Sequence, residues 1–339
     1  MRGGCEMWAN PSSPHAEGRA ARSALEEARA RVKAALAWDG EVIFTGGASE
    51  ALAIGLGRAK ADRRLVSAVE HDAVFRAAPD LKILPLAKDD SGMVQLDLKV
   101  LAAALARPGR AVVAVQAINS ETGTVLLPHG DGSVIGMVRD AGGLILADCS
   151  QSAGRVPLPD ADMVVVSAHK LGGPVGIGAL LVRDFAMIEP VGGHERGYRA
   201  GTENLPAALG FAAALEVGQI DCWPTSYLDR YEFKDMLFHT STVLTPGIQC
   251  SHILAVASGT LSAAALLIRL DALGFAVSAG SACSSGTLKR SRALAAFGVP
   301  EDIASRTIRL SFGWSTTRAD LVAFCEAWEE INDQKARGA

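Results

Sequence analysis

Between residues 41 and 186, short apolar runs alternate with helical stretches, and no other feature of the sequence constrains the fold as tightly. The runs are EVIFT (41–45), RLVSAV (64–69), RAVVAVQAI (110–118), GLILA (143–147), DMVVVSA (162–168) and GIGALLV (176–182). Each is brief and nearly continuous in branched aliphatic residues, the pattern of strands covered on both faces. The stretches SEALAIGLGRAKA (49–61), LDLKVLAAALARPG (96–109) and DGSVIGMVRDAG (131–142) read as helices. The alternation predicts an α/β fold with a mainly parallel sheet. In such sheets ligands bind beyond the carboxyl ends of the strands.

The residues that follow each strand are therefore the first candidates for a site. Thr45-Gly46-Gly47-Ala48-Ser49-Glu50 follow the first and Glu70-His71 the second. Asn119-Ser120-Glu121-Thr122 follow the third, Asp148-Cys149-Ser150-Gln151 the fourth, and Ser167-Ala168-His169-Lys170 the fifth. Strand ends are commonly polar, but a carboxylate, an imidazole, an amide, an amine and a glycine turn on one edge form a chemical set. Lys170 follows an apolar strand and precedes Gly-Gly-Pro, so its amine is placed for partial desolvation, which favours a nucleophilic or Schiff-base lysine. The plainer account is a lysine that snorkels to solvent. The glycine turn before a helix suits a phosphate, and Asp148 suits a protonated pyridine nitrogen. Together these are what pyridoxal 5′-phosphate requires.

A second feature is SAGSACSSG (278–286), one cysteine in a run of small residues that cannot pack a core. The six cysteines (5, 149, 222, 250, 283, 325) form no CxxC pair and the histidines no HExxH spacing. A compact metal site or a disulfide scaffold is thereby disfavoured, and Cys283 reads as a nucleophile. A net charge of −4 without a basic stripe argues against a nucleic-acid footprint. The longest apolar run, 253–268, is broken by Ser, Gly and Thr and is short for a bilayer, which needs about 20 apolar residues. The start, MRGGCEMWANPSSP, has no apolar leader core. A cytoplasmic location is expected.

SAHKLGGPVGIGAL (167–180), HERGYRAGTENL (194–205) and SAGSACSSGTL (278–288) are long, ordered motifs, and in them the chain resembles the cysteine desulfurases. These are fold-type I pyridoxal-phosphate enzymes of the class V aminotransferase group. The likeness runs from NPSSPHAEGRAARSALEEARARV (10–32) to RLSFGWSTT (309–317), nearly the whole chain. It implies a large domain with a seven-stranded, mainly parallel sheet and a smaller C-terminal α/β domain. We expect these at 14–219 and 220–339, with residues 1–13 packing on the smaller one. By the same resemblance Lys170 carries the cofactor, Asp148 pairs with its ring nitrogen, Gln151 with its phenolic oxygen, and His71 stacks on the ring and moves protons. Ala48, Ser49, Ser167 and His169 would hold the phosphate, Thr202 reaching in from the partner of a homodimer. Asn119 and Ser120 would lie at the cofactor, and Arg309 would clamp the carboxylate of L-cysteine. Cys283 would take the sulfur as a persulfide, giving L-alanine, and pass it to an acceptor such as an iron–sulfur scaffold protein. Its loop of small residues suits a nucleophile that must also deliver cargo.

Three stretches depart from the family pattern. MRGGCEMWA stands where members usually carry a strand and an LDxxAT-type turn, so the expectation is either a start assigned late or a protein that lacks that piece. Ser120 replaces a second asparagine, and 222–250 matches poorly. The competing readings are a related aminotransferase or selenocysteine lyase, which keeps the cofactor, and a silent scaffold that keeps the fold. Cys149 and Cys325 read as core filler, Cys5, Cys222 and Cys250 carry no motif, and His194 and Arg196 read as active-site or interface groups.

Overall fold

The computed structural model describes residues 1–7, 9–130, 133–279 and 290–333. The chain forms two compact units. The first comprises Met1–Leu84, Leu98–Ala117 and Leu127–Cys222, the second Pro85–Asp97, Ile118–Leu126 and Trp223–Ala339.

The strands of the first unit are β1 (Glu41–Thr45), β2 (Arg63–Ser67) and β3 (Leu81–Leu84) and, after β4 (Leu86–Lys88) and β5 (Val94–Leu96) of the second unit, β6 (Ala111–Gln116), β7 (Leu144–Asp148), β8 (Met163–Ser167) and β9 (Gly178–Val182). They build one seven-stranded sheet in the order β1-β9-β8-β7-β6-β2-β3. The pairs from β8 through β7, β6 and β2 to β3 are parallel, and β9 runs antiparallel between β1 and β8. The mainly parallel sheet expected from the sequence is present, with every residue of β6, β7, β8 and β9 buried.

Helices α1 (Arg2–Glu6), α2 (Ala16–Ala35), α3 (Ala48–Gly55), α4 (Asp72–Ala77), α5 (Leu98–Leu105), α6 (Ser133–Asp140) and α7 (Leu205–Val217) belong to this unit. In α2 the buried Ala21, Leu25, Ala28 and Val32 recur at three- and four-residue spacing, a single apolar stripe. The helix α3 stops well short of residue 61, because the Arg64 guanidinium takes the carbonyls of Leu56 and Gly57. Residues 1–7 group with this first unit rather than with the smaller one. Gly4 lets α1 approach α7 so closely that a Cβ there would lie 2.8 Å from the Pro206 Cα.

In the second unit, β10 (Thr242–Leu244), β11 (Ile253–Ala257), β12 (Ser278–Ala279) and β13 (Thr307–Ser311) form an antiparallel sheet in the order β10-β11-β13-β12. The helices α8 (Tyr227–Thr240), α9 (Ala263–Ala272), α10 (Arg292–Ala296), α11 (Glu301–Ala304) and α12 (Arg318–Asp333) accompany it. Phe233, Val256, Leu266, Leu310 and Trp328 are the centre of its core. The apolar run 253–268 is split by Ser258, whose Oγ accepts from the Thr260 and Leu261 N–H groups, into β11 and α9. Among the described residues no helix is long and apolar enough to cross a membrane.

Candidate active site

The sheet register brings two predicted phosphate-binding segments to one edge. Both β1 and β8 pair with β9, and Thr45 and Ser167 each lie opposite Gly178. The turn after β1 rests on that glycine: a Cβ at 178 would come within 2.6 Å of the Val166 carbonyl and 2.9 Å of the Gly47 Cα. Gly47 has a φ of +146°, and α3 starts at Ala48, so the N–H groups of Ala48 and Ser49 fall in a first turn that lacks intrahelical acceptors. Beyond β8 a single 3₁₀ turn, Ala168–Leu171, carries His169 and Lys170, and Gly172 closes it at φ +85°. The Ser167 Oγ lies 3.0 Å from His169 Nδ1. Desolvation first, then the neighbouring Lys170 charge, pushes the His169 imidazolium below its ordinary range. Lys170 itself is exposed.

Asp148 ends β7, next to β8 in the sheet. Its carboxylate is buried, and Oδ1 accepts from the Ser150 N–H at 2.9 Å and the Ser150 hydroxyl at 2.6 Å. Burial raises its pKa; the Ser150 hydrogen bonds and then the charges of His71 and Lys170 oppose that rise. His71 and Lys170 are thus each within electrostatic reach of Asp148. His71 caps α4, its Nδ1 accepting from the Ala73 N–H at 3.1 Å, which assigns the neutral ring the Nε2–H tautomer. Gln151 follows at the same strand end, and its carbonyl accepts from Arg155, whose guanidinium also donates to the Lys170 carbonyl. Cys149 is filler, fully buried, its thiol pushed up to about 12 by desolvation. Cys325 is likewise buried and raised, to about 11.

The segment 194–205 is held by a pair that the sequence did not disclose. Arg29 of α2 and Glu195, both almost fully buried, meet at 2.8 Å, and Glu195 also accepts from the Phe44 N–H of β1 at 2.9 Å. This fixes Glu195 and Arg196 at φ +48° and +55°, a conformation costly for residues with a Cβ. Arg196 bridges Glu26 and Glu41, while His194 pairs with Glu203 at 3.0 Å. Arg199 pairs with Glu50 at 3.3 Å, and the Glu50 carboxylate also accepts the Gly46 N–H of the turn after β1. Thr202 is exposed on this segment. Acidic and basic residues far apart in the chain carry no local pattern, so only the fold reveals them.

In the second unit Asn119 is a turn former. Its Oδ1 accepts from the Glu121 and Thr122 N–H groups at 3.0 and 2.9 Å, and its own N–H donates to the Thr124 carbonyl. Arg309 of β13 donates from Nη1 to the Ser120 carbonyl and from Nη2 to the Ser278 hydroxyl, both at 3.0 Å. Cys283 lies outside the described residues. Among the described residues no cluster could hold a metal ion.

A model of the aminotransferase class-V family matches residues 5–324. The chain belongs to the class V aminotransferase family. Within that family, Cysteine desulfurase 2 of Trichormus variabilis is 34% identical over 341 residues, covering 93% of this chain and 84% of the relative. A cysteine desulfurase of Bradyrhizobium diazoefficiens is 34% identical over 361 residues, 98% of this chain and 89% of its own. The X-ray structure of a NifS-like protein from Rickettsia africae superposes with a TM-score of 0.80 at 26% identity, over 96% of this chain and 92% of that one.

The cofactor of these class V enzymes is pyridoxal 5′-phosphate, and the donor set here fits it. The first turn of α3 beside Ser167 and His169 suits the phosphate. The Asp148 Oδ2 makes no hydrogen bond among the described residues and is available to a protonated ring nitrogen, whose charge would offset the cost of burying the carboxylate. Lys170 would supply the amine that such a cofactor needs.

Proposed function

We propose that this chain is a cysteine desulfurase that converts L-cysteine to L-alanine and takes the sulfur on Cys283 as a persulfide. The observation that carries this reading is the grouping of the Asp148 carboxylate with His71 and Lys170 at one sheet edge, in a chain whose cited relatives are named cysteine desulfurases. When bound, pyridoxal phosphate supplies an electron sink that labilises bonds at the substrate's α-carbon and so prepares the C–S bond for cleavage. The protein's groups do the rest. Ala48, Ser49, Ser167 and His169 hold the phosphate, Gln151 the phenolic oxygen, and Asp148 keeps the ring nitrogen protonated. Lys170 and His71 hold and move protons, and Arg309 binds the substrate carboxylate through its fork. The Cys283 thiolate attacks the substrate sulfur, an S–S bond forms as the C–S bond breaks, and the electron pair left on carbon is protonated to give alanine.

The reading extends to a homodimer in which Thr202 reaches the partner's phosphate. It also includes a cytoplasmic location and a protein acceptor for the sulfur, such as an iron–sulfur scaffold. The alternatives of a plain transaminase, a selenocysteine lyase and a silent scaffold are not favoured by the relatives. Alanine formed from L-cysteine, with added pyridoxal phosphate and reductant, is the direct test. Steady production by the parent and loss to background in Cys283→Ala is expected. No alanine from the parent overturns the activity, and equal rates from both overturn the role of Cys283.

A further inference from the structure

The surroundings of Arg309 define how a carboxylate would be recognised. In β13 its cross-strand neighbours are Ala255 on one side and Ser278 on the other. Ile308 and Leu310 turn to the buried core by strand alternation, while Ala255 has too little bulk to obstruct the guanidinium. Two of the five N–H groups are committed: Nη1 to the Ser120 carbonyl and Nη2 to the Ser278 hydroxyl. The Ser120 carbonyl is itself fixed, because the Asn119 side chain and backbone close the 119–124 turn. The Nε–H is buried and has no acceptor among the described residues. A buried donor of a charged group is costly to leave unmatched, so the arrangement is that of a fork waiting for an anion.

We infer that Ser278 is a positioning residue: with the Ser120 carbonyl it fixes the plane of the Arg309 guanidinium and thereby sets the affinity for the substrate's α-carboxylate. The inference rests on the reading of Arg309 as the carboxylate clamp. A guanidinium pinned at two points loses less rotamer entropy when it meets a carboxylate bidentately. Ser278 shares a short strand with Ala279, which directly precedes the segment carrying Cys283. The residue that orients the clamp is thus tied by a single backbone to the sulfur-accepting stretch.

The test is a titration of the purified holoenzyme with L-alanine, followed by cofactor absorbance, in the parent, Ser278→Ala, Ser278→Thr and Arg309→Lys. L-Alaninamide, which lacks the carboxylate, is the control ligand. The inference expects Ser278→Ala to weaken L-alanine binding by roughly three- to tenfold, on the scale of one ordinary net hydrogen bond, with alaninamide unchanged and Ser278→Thr close to the parent. In turnover the same variant raises KM for L-cysteine and keeps kcat. An unchanged affinity in Ser278→Ala while Arg309→Lys weakens binding overturns the inference alone. Equal weakening for both ligands also overturns it, by revealing a general disturbance. An unchanged affinity in Arg309→Lys overturns the clamp reading and the inference together.

Discussion

Arg29 and Glu195 show how much depends on a single buried contact. The two meet at 2.8 Å with almost no access to water, so removing Arg29 leaves the buried Glu195 carboxylate without its guanidinium and with the Phe44 N–H as a remaining donor. Arg29→Met is expected to cost about 3–5 kcal/mol in urea unfolding, with much of it recovered when Glu195→Leu is added; a loss below about 1 kcal/mol would contradict this. Asp148 works in the opposite sense. Burial raises its folded pKa, so the ligand-free fold holds the carboxyl proton more tightly than the unfolded chain does. That preference stabilises the fold below the ordinary carboxylate value of about 4 and is lost as pH rises through the folded value. Asp148→Asn should therefore melt higher than the parent near pH 7.5 without cofactor and equal it below about pH 4. With cofactor bound, the order should reverse, because the ring nitrogen loses its anionic partner. Asp148, His71, Ser167 and Lys170 were legible in the sequence because strand ends face one edge. Arg29, Arg155 and Ser278 were not, since their partners lie in distant stretches or depend on strand register. The expectation of a desolvated Lys170 has no counterpart in its exposed position within the chain.

At the scale of elements, β9 positions the turn proposed to hold the phosphate. It runs antiparallel between β1 and β8, and only a glycine at 178 lets Gly47 lie against it. Gly178→Ala should displace the turn, costing about 1–3 kcal/mol in stability through overpacking and lowering cofactor occupancy as read by absorbance; a variant with parental occupancy would refute that role. The strands of this sheet were readable because both faces are covered, which leaves near-continuous apolar runs. Edge strand β3 was not, because Lys82 and Ile83 are exposed and break the run. Helix α8 was hidden for a related reason. It buries Phe233 and Leu237 but exposes Tyr227, Leu228, Tyr231 and Phe238, so no clean stripe marks it. Its surest signal was local, the Ser226 and Asp229 capping box.

At the scale of the whole molecule, the family resemblance read from three motifs holds along nearly the full chain, as does the α/β architecture. The boundaries are less simple than two consecutive blocks. The second unit draws its backbone from three stretches, and two of them, Pro85–Asp97 and Ile118–Leu126, are short excursions out of the first. They belong to it through backbone pairing: Val94 donates to the Pro246 carbonyl, and Val125 to that of Ile248. Such pairings leave no trace in composition or periodicity. They do impose an order of events on the ribosome. Val125 leaves the exit tunnel about 120 residues before Ile248, which at bacterial-type elongation speeds is on the order of 10 s. For that interval the Val94 and Val125 N–H groups lack these two acceptors, and a chaperone that shields their segments would serve the second unit before most of it has been translated.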